Sequence, residues 1–266
     1  APVQCTTWGH PITSGIQAID YFISSETLES DAAEPQYTET LVRLKTLPIH
    51  YYRPELPAPL KDKAHFGLSM EDHIYGCPQS LFKFHPDFDE VLASILRADP
   101  RGKLLLLQGL NSKWVELLQH RFARTMPDCS NRILFLPPLD VPDFINLLAV
   151  CDVLLDPLHF GGGNSSYEGL AVGTPIVTLP SQFLRGRITL ALYSQMQGLD
   201  CVADHAQDYV QKAVRLGTDA DYRASIRQKL LAANEVLFEN SAGIRELEHF
   251  LQRAVEAAAA GRKASL

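Results

Sequence analysis

The residues best suited to chemistry lie in one glycine-rich segment, which runs from Asp156 to Gly169 after a short apolar run. Three consecutive glycines, including Gly162 and Gly163, let a ligand approach the backbone closely. Asn164 and Ser165 then open a predicted helix, whose free N–H groups favour a phosphate or diphosphate. Glu168, one turn later, is placed to accept hydrogen bonds from ribose hydroxyls. Taken alone, the segment also fits a glycine turn with an ordinary helix cap.

Two other polar segments follow predicted strands. The first contains Gln79 and Lys83, and the lysine could lie beside a leaving diphosphate, although an isolated lysine is more often a solvated surface residue. The second contains Arg185 and Arg187 on either side of a glycine. Two guanidinium groups at the carboxyl end of a strand suit an anionic ligand, and they also fit a solvated helix start.

Patterns that would indicate other chemistries are weak or missing in the sequence. Asp87-Phe88-Asp89 matches the DxD pattern of metal-dependent sugar transferases, but it follows Pro86 at a predicted helix start, where the helix dipole favours acidic residues. The nine histidines form neither HxH nor HExxH, so the sequence predicts no metal site. The glycine cluster comes late in the predicted domain, which disfavours a nicotinamide dehydrogenase.

Strand-like and helical segments alternate through the middle of the chain, which predicts an α/β fold with a parallel sheet covered on both faces. Ligands of such sheets bind beyond the carboxyl ends of the strands, where the segments above lie. The predicted strands are His73–Cys77, Lys103–Gln108, Ile133–Leu136, Val153–Asp156 and Pro175–Leu179. The predicted helices are Asp87–Ala98, Asn111–Met126, Val141–Val150, Ser165–Val172, Arg187–Met196, Ala206–Leu216 and Asp219–Glu235.

The two ends of the chain differ from this middle part. The first 55 residues contain short predicted strands with polar connections, at Val3–Trp8, Asp20–Ser24 and Thr40–Arg43. A segment with three prolines, Tyr51–Pro59, is typical of a linker, and a last helix is predicted over Ser241–Ala258. The sequence therefore predicts three parts: residues 1–55, a doubly wound domain over 56–238, and a helix with a tail over 239–266. Because the chain begins with Ala1 in a strand-like stretch, we expect it to be a piece of a longer protein.

Composition excludes several classes of protein. With 46% hydrophobic and 21% charged residues the chain is globular rather than disordered. A net charge of −7 disfavours a nucleic-acid partner. The sequence contains no run of ~18 apolar residues, so it predicts no membrane span. The five cysteines are odd in number and form no CxxC pair, which favours free thiols in a reducing, cytoplasmic setting.

Taken together in order, these motifs resemble glycosyltransferase family 41, the O-GlcNAc transferase and Spindly-like family. Residues 1–4 and 8–15 resemble its APxQ…GxPxTSG segment, and Asp20-Tyr21, Tyr37–Glu39 and Leu44 resemble its next landmarks. Residues 79–83 resemble its QxxxK element. Residues 161–168, 173–180 and 185–187 resemble its donor-binding core. The resemblance covers most of the chain.

The resemblance implies the GT-B architecture: two Rossmann-like halves with the active site between them, here one complete half and the tail end of the other. It further implies inverting sugar transfer without a bound metal or cofactor. In that scheme Lys83 neutralises the β-phosphate of a departing UDP, and Gln79 helps to hold the diphosphate. Asn164 and Ser165 bind phosphate oxygens, and Glu168 binds the ribose. His10, Thr13 and Ser14 face the cleft from the other half.

Two differences from the animal members of the family leave the donor open. Gly163 stands where those members have histidine, and Leu139–Phe144 lacks their lysine and histidine, which makes both places more similar to bacterial Spindly-like proteins. The first expectation is GlcNAc transfer from UDP-GlcNAc to Ser or Thr of proteins. The alternatives are glucose transfer to Asn, fucose transfer from GDP-fucose, and a non-catalytic nucleotide-sugar-binding module. The resemblance also implies an upstream half and tetratricopeptide repeats, neither of which is in this sequence.

Overall fold

A computed structural model describes residues 1–109 and 111–264, so the last two residues of the predicted tail lie outside the described part. The first 50 residues form a small parallel sheet with three strands, β1 (Cys5–Thr7), β2 (Tyr21–Ser25) and β3 (Thr40–Leu44), in sequential order. Both neighbouring pairs are parallel and pair residue by residue, with Cys5 beside Tyr21 and Tyr21 beside Thr40. These strands lie where the sequence predicts them, although β1 is shorter.

The second sheet has five parallel strands in the spatial order β6-β5-β4-β7-β8. Strands β5 and β6 lie on one side of β4, and the chain then crosses to the other side of β4, where β7 and β8 lie. A crevice for ligands therefore forms at the carboxyl ends of β4 and β7. The strands are β4 (His73–Cys77), β5 (Gly102–Leu107), β6 (Ile133–Leu136), β7 (Val153–Leu155) and β8 (Ile176–Val177).

Helices pack against this sheet, and all of the α-helices of the chain lie where helical patterns are predicted. Several begin at a polar cap: the Asn111 side chain accepts from an N–H at the start of α2, and Asp140 does so for α3. The helices are α1 (Asp87–Ala98), α2 (Ser112–Thr125), α3 (Val141–Val150), α4 (Asn164–Ala171), α5 (Ile188–Gln195), α6 (Ala206–Thr218), α7 (Ala220–Ala233) and α8 (Ala242–Ala259). Over the residues described, no helix is both long and apolar enough to cross a membrane.

Boundaries differ from the prediction at a few places, each for a local reason. The α7 helix starts after Asp219, because that side chain is the cap and accepts from the Tyr222 N–H, and it ends at Ala233, where the chain continues as a 3-10 turn. Strand β8 has two residues rather than five, and Thr178, which follows it, forms a single bridge with Val202. The five cysteines are all free thiols, and four of them are buried.

The last helix packs against the first sheet rather than against the second. Phe250 of α8 is 1% exposed and meets Tyr21 of β2 edge-on, with ring centroids 5.1 Å apart. Glu246 accepts hydrogen bonds from the Thr46 hydroxyl (2.8 Å) and the Lys45 N–H (2.7 Å), just after β3. In space, α8 and the first sheet therefore form one unit, and the second sheet with its helices forms the other.

The two units are in direct contact. The Arg187 guanidinium donates to the Leu28 carbonyl (3.1 Å), and the Ser30 hydroxyl donates to the Gln182 carbonyl (3.2 Å). The predicted linker takes part as well, since the ring of Tyr51 stacks on the ring of Tyr167 in α4, at 4.4 Å between centroids. The first sheet is thus held over the carboxyl ends of β4 and β7.

Candidate functional site

A cleft of about 600 Å³ lies between the two units, beyond the carboxyl ends of β4 and β7. The second unit contributes the turn after β4, the glycine loop after β7 and the start of α4. The first unit contributes the loop after β1. The lining residues are Trp8, Gly9, Pro11, Pro78, Gln79, Ser80, Lys83, Phe160, Gly161, Gly163, Asn164, Ser165, Glu168 and Ile188.

The glycine loop is shaped by a buried carboxylate behind it. Asp156 at the end of β7 is 4% exposed and accepts hydrogen bonds from the Gly162 N–H (2.6 Å) and the Thr178 hydroxyl (2.8 Å). A Cβ atom on Gly161 would lie 2.7 Å and 2.8 Å from the two Asp156 oxygens. A Cβ atom on Gly162 would lie 2.9 Å from Gln79 Nε2. The loop can therefore follow this path only with glycine at both positions.

Burial raises the pKa of Asp156 above its ordinary value, while its hydrogen bonds and the nearby Lys83 charge act in the opposite direction. Its backbone is fixed too, because the Tyr209 hydroxyl donates to the Asp156 carbonyl (3.0 Å). The sequence analysis missed Asp156 as a residue that positions the loop. A single acidic residue at a strand end carries no signal of that role.

The start of α4 points its free donors into the cleft. Gly163 precedes the helix, and its carbonyl accepts from the N–H groups of Ser166 (3.0 Å) and Tyr167 (3.3 Å). The N–H groups of Asn164 and Ser165 come before that of Ser166, the first N–H that donates within the helix, so they remain available to a ligand. Asn164 is exposed and Ser165 is half-buried. The arrangement is one that binds a phosphate oxygen.

Lys83 and Gln79 are both hydrogen-bonded to the glycine loop or to the start of α4. The Lys83 ammonium donates to Gln79 Oε1 (2.9 Å) and to the Gly161 carbonyl (2.8 Å), and it lies 4.5 Å from the centre of the Phe160 ring. The Gln79 amide in turn donates to the Ser165 hydroxyl (2.5 Å). Burial lowers the pKa of Lys83, and the Asp156 charge opposes that shift. Lys83 is therefore a half-buried cation at the edge of the cleft and not a solvated surface residue.

Glu168 is half-buried on the same helix and faces the linker. Burial raises the pKa of Glu168, and a hydrogen bond from the Tyr51 hydroxyl acts to lower it. The same contact and burial raise the pKa of Tyr51 to about 12. Tyr51 was missed by the sequence analysis, because a tyrosine in a proline-rich linker has no pattern that connects it to a helix more than a hundred residues later.

The structure places the two predicted arginines outside the lining of the main cleft. The Arg185 guanidinium lies over the Phe183 ring (4.7 Å), in a smaller cavity of about 240 Å³ that Thr13 also lines. Its carbonyl accepts from the Gly161 N–H (2.8 Å), which fixes the glycine loop. Arg187 donates to carbonyls of Leu28 and Ser181 and so joins the two units.

On the side of the first unit, the predicted hydroxyl residues bind a carboxylate of their own unit. The hydroxyl groups of Thr13 (2.7 Å) and Ser14 both donate to Glu39. Burial acts to raise the pKa of Glu39, but these hydrogen bonds outweigh it and lower that pKa to about 2. His10 is exposed and does not line the cleft. Its neighbours Trp8 and Pro11, which the sequence analysis did not single out, do line it.

The two carboxylates of the DxD pattern do not act together. Asp89 is 3% exposed and binds the Arg121 guanidinium (2.9 Å) and the Thr125 hydroxyl (3.0 Å). Asp87 is exposed, begins α1, and lies close to His85 and His159. The histidine spacing predicts no metal site, yet these three side chains converge in the structure. A spacing pattern does not detect this group, because residue 159 is distant from the other two in sequence.

Comparison with known proteins assigns the chain to a family. The model of glycosyl transferase family 41 matches residues 55–244, which is more than half of the chain. This chain belongs to glycosyltransferase family 41. A tomato (Solanum lycopersicum) protein is named as a probable UDP-N-acetylglucosamine–peptide N-acetylglucosaminyltransferase SPINDLY. The family 41 chain is 26% identical to it over 239 residues, and the match covers 86% of the family 41 chain. It is 24% identical over 262 residues to the Arabidopsis thaliana protein SEC, named as a probable transferase of the same kind, with 93% of this chain covered.

Solved structures show the architecture. A mutant form of the O-GlcNAc transferase of Thermobaculum terrenum is 28% identical, superposes with a TM-score of 0.81, and covers 98% of the family 41 chain and 50% of its own. A sucrose-phosphate synthase from Thermosynechococcus elongatus, at 15% identity and a TM-score of 0.63, has the same fold; 91% of this chain and 60% of that one are covered. The fold is of the GT-B type. The chain spans about a quarter of the length of the two plant relatives, 25% and 26%.

Proposed function

We propose that this chain is the donor-binding part of an inverting glycosyltransferase, which moves GlcNAc from UDP-GlcNAc to Ser or Thr of proteins without a metal. The observation that carries the proposal is the position of Lys83. Its ammonium group lies between Gln79 Oε1 and the Gly161 carbonyl, at the edge of the cleft into which α4 opens. The names of the plant relatives support the choice of sugar and acceptor.

The donor would bind through its diphosphate. The free N–H groups at the start of α4 and the Ser165 hydroxyl are donors for phosphate oxygens, and Glu168 would accept from the ribose. The charge of Lys83 would lie beside the phosphate that gains negative charge as the bond to the sugar breaks. A preorganised cation at that place stabilises the transition state more than the ground state, which is what accelerates transfer. A positive charge supplied by lysine supports chemistry without a divalent cation.

Inversion follows from a single displacement. An acceptor hydroxyl oxygen attacks the anomeric carbon, the bond from that carbon to UDP breaks, UDP leaves with the electron pair, and the hydroxyl proton is released. A double displacement would need a carboxylate nucleophile in the cleft. Among the described residues that line the cleft, Glu168 is the only carboxylate, and Tyr51 already donates to it. The single displacement is therefore the better supported mechanism.

The binding half of the proposal can be tested on this chain alone. Saturating UDP should raise the melting temperature, because a ligand at 100 times its dissociation constant stabilises the folded state by about 2.7 kcal/mol. GDP is the second ligand of the test, and uridine without phosphates is the control, which should give a much smaller shift. No shift with millimolar UDP or GDP would contradict a nucleotide site.

The catalytic half needs the full-length protein. Radiolabelled UDP-GlcNAc, UDP-glucose and GDP-fucose should be offered with protein acceptors, with and without EDTA, and the anomeric configuration of the product determined by NMR. We expect transfer from UDP-GlcNAc, unchanged by EDTA, with inverted configuration. Transfer only from another donor would leave the mechanism intact and replace the sugar. Binding without any transfer would identify a non-catalytic module, and loss of transfer in EDTA restored by Mn²⁺ would overturn the metal-free mechanism.

A further inference from the structure

Three exposed side chains from two separate segments meet beside the cleft. His85 and Asp87 lie at the start of α1, and His159 lies in the glycine loop after β7. One possible ligand atom from each lies within 4.8 Å of the other two. Asp87 Oδ2 is 2.9 Å from His159 Nε2 and 3.3 Å from His85 Nδ1, and the two imidazole rings meet edge-on with centroids 4.8 Å apart.

The chemistry of this trio is that of a transition-metal site. Two imidazole nitrogens and one carboxylate oxygen are ligands that Zn²⁺ and its neighbours prefer, whereas Mg²⁺ and Ca²⁺ prefer oxygen alone. His85 Nδ1 accepts from the Asp87 N–H (3.3 Å), and an ion bound to this nitrogen would replace that long contact. At metal–ligand distances of about 2.0–2.2 Å, two ligand atoms stand somewhat further apart than Asp87 Oδ2 and His159 Nε2 do here. The side chains are about half exposed and can separate to admit an ion.

The backbone at His159 is held in an arrangement that an ordinary loop residue avoids. Its φ is +71°, in the left-handed region where histidine is uncommon, and its Nε2 lies 2.9 Å from Asp87 Oδ2. The loop is fixed just beyond this point by the hydrogen bond from the Gly161 N–H to the Arg185 carbonyl. A strained residue in a fixed loop is more often found at a functional position.

We propose that His85, Asp87 and His159 form a site for one divalent transition-metal ion, with Zn²⁺ as the test ion. Three protein ligands leave at least one coordination position for water or another ligand. The ion would link the segment that follows Lys83 to the loop that contains Phe160, outside the residues that line the cleft. This site is separate from the proposed sugar transfer, which uses Lys83 for its charge.

The test is a calorimetric titration of EDTA-treated, metal-free protein with ZnCl₂, with Co²⁺ absorption in the visible range as a second readout. We expect one ion per chain. Asp87→Asn and His159→Asn should each weaken binding more than roughly tenfold and abolish the Co²⁺ spectrum, since even partners outside the ligand set contribute about that much. Asparagine is chosen at 159 because it tolerates positive φ. His120→Asn, at another exposed histidine, is the matched control and should bind like wild type.

Two further measurements keep the result unambiguous. Melting temperatures in EDTA should be similar for wild type and variants, which excludes misfolding. UDP-induced stabilisation should persist in His159→Asn, so that failure of the metal site and failure of the nucleotide site are distinguished. No Zn²⁺ binding by wild type, or binding that both variants retain, would show that the three side chains form only a hydrogen-bonded group.

Discussion

At the residue scale, the site depends on charges held at half-buried positions. Lys83 is desolvated on one side, and two acceptors fix its ammonium group. Glu168 is desolvated as well, and Tyr51 compensates part of that cost. A ligand in contact with either group would meet it in an environment where electrostatic interactions are stronger than in water.

Replacing Lys83 tests its role in transfer. Lys83→Met in the full-length protein should lower the turnover rate by ~100-fold or more, the scale seen when one preorganised donor is removed. UDP affinity should fall much less, because the α4 amides and Glu168 remain. The unfolding free energy should fall by about 1 kcal/mol, for the lost hydrogen bonds. Turnover, calorimetric UDP affinity and urea unfolding are measured on one preparation.

The control is Lys113→Met, because Lys113 is an exposed lysine paired with Glu116 on α2. It should leave turnover and UDP affinity unchanged. Near-normal turnover in Lys83→Met would show that Lys83 has only a structural role.

Tyr51 offers a pH test of Glu168. A carboxyl group accepts more strongly from ribose hydroxyls when it is ionised, and the Tyr51 hydrogen bond acts to lower the pKa of Glu168. Tyr51→Phe keeps the stack on Tyr167 but removes this bond, so the pKa of Glu168 should rise further. As the pH falls, UDP affinity should therefore begin to drop at a higher pH in the variant. UDP affinity of wild type and variant is measured in parallel from pH 7.5 to pH 5. Protonation of the UDP phosphate affects both proteins equally, so the difference between the two profiles reports on Glu168. Identical pH profiles would mean that Glu168 does not contact the nucleotide.

At the scale of elements, the loop between β7 and α4 has one allowed path. Asp156 accepts from the Gly162 N–H on the buried side of the loop. Gln79 and Ser165, which are hydrogen-bonded to each other, lie on the cleft side. The path brings the first N–H groups of α4 to the cleft, so their position depends on two glycines, Gly161 and Gly162, where a side chain would meet neighbouring atoms.

Gly162→Ala tests this element. Its Cβ would lie 2.9 Å from Gln79 Nε2 and 3.0 Å from Ser165 Oγ, so the loop must shift. Overpacking of this kind costs about 1–3 kcal/mol of stability, and UDP affinity should fall at least tenfold because the α4 donors move. Gly198→Ala is the matched control, since a Cβ there meets nothing within 4 Å. Unchanged UDP affinity in Gly162→Ala would show that the loop is not a phosphate site.

At the scale of the whole molecule, the cleft exists because two units are held together. The chain leaves the first sheet, builds the second, and returns through α8 to cover the first sheet again. Arg187 and Tyr51 connect the units, and the loop after β1 lines the cleft only while that arrangement is kept.

Phe250 of α8 tests this closure. It is 1% exposed and packs on Tyr21, so Phe250→Ala should cost about 3–5 kcal/mol of unfolding free energy. Leu251→Ala is the neighbouring control, because Leu251 is 38% exposed and should cost much less. Urea unfolding followed by circular dichroism gives both values. Equal, small costs for the two variants would contradict the packing of α8 on the first sheet.

The sequence by itself determined the elements and the residues of the glycine loop. Short apolar runs alternate with amphipathic segments, and this local pattern is enough to predict strands and helices within a few residues. The order of Gln79, Lys83, the glycines and Glu168 at strand ends also placed them at one edge of a parallel sheet. These inferences hold because strand ends, glycine turns and helix starts are local properties.

Only the tertiary structure decided which side chains meet across the chain. Helix α8 returns to the first sheet, Tyr51 reaches Glu168, and Arg187 binds a carbonyl of the other unit rather than lining the cleft. His159 meets Asp87 for the same reason, since 72 positions separate them. Contacts of this kind depend on how whole helices and sheets pack to bury their apolar faces. A pattern within one segment carries no information about them.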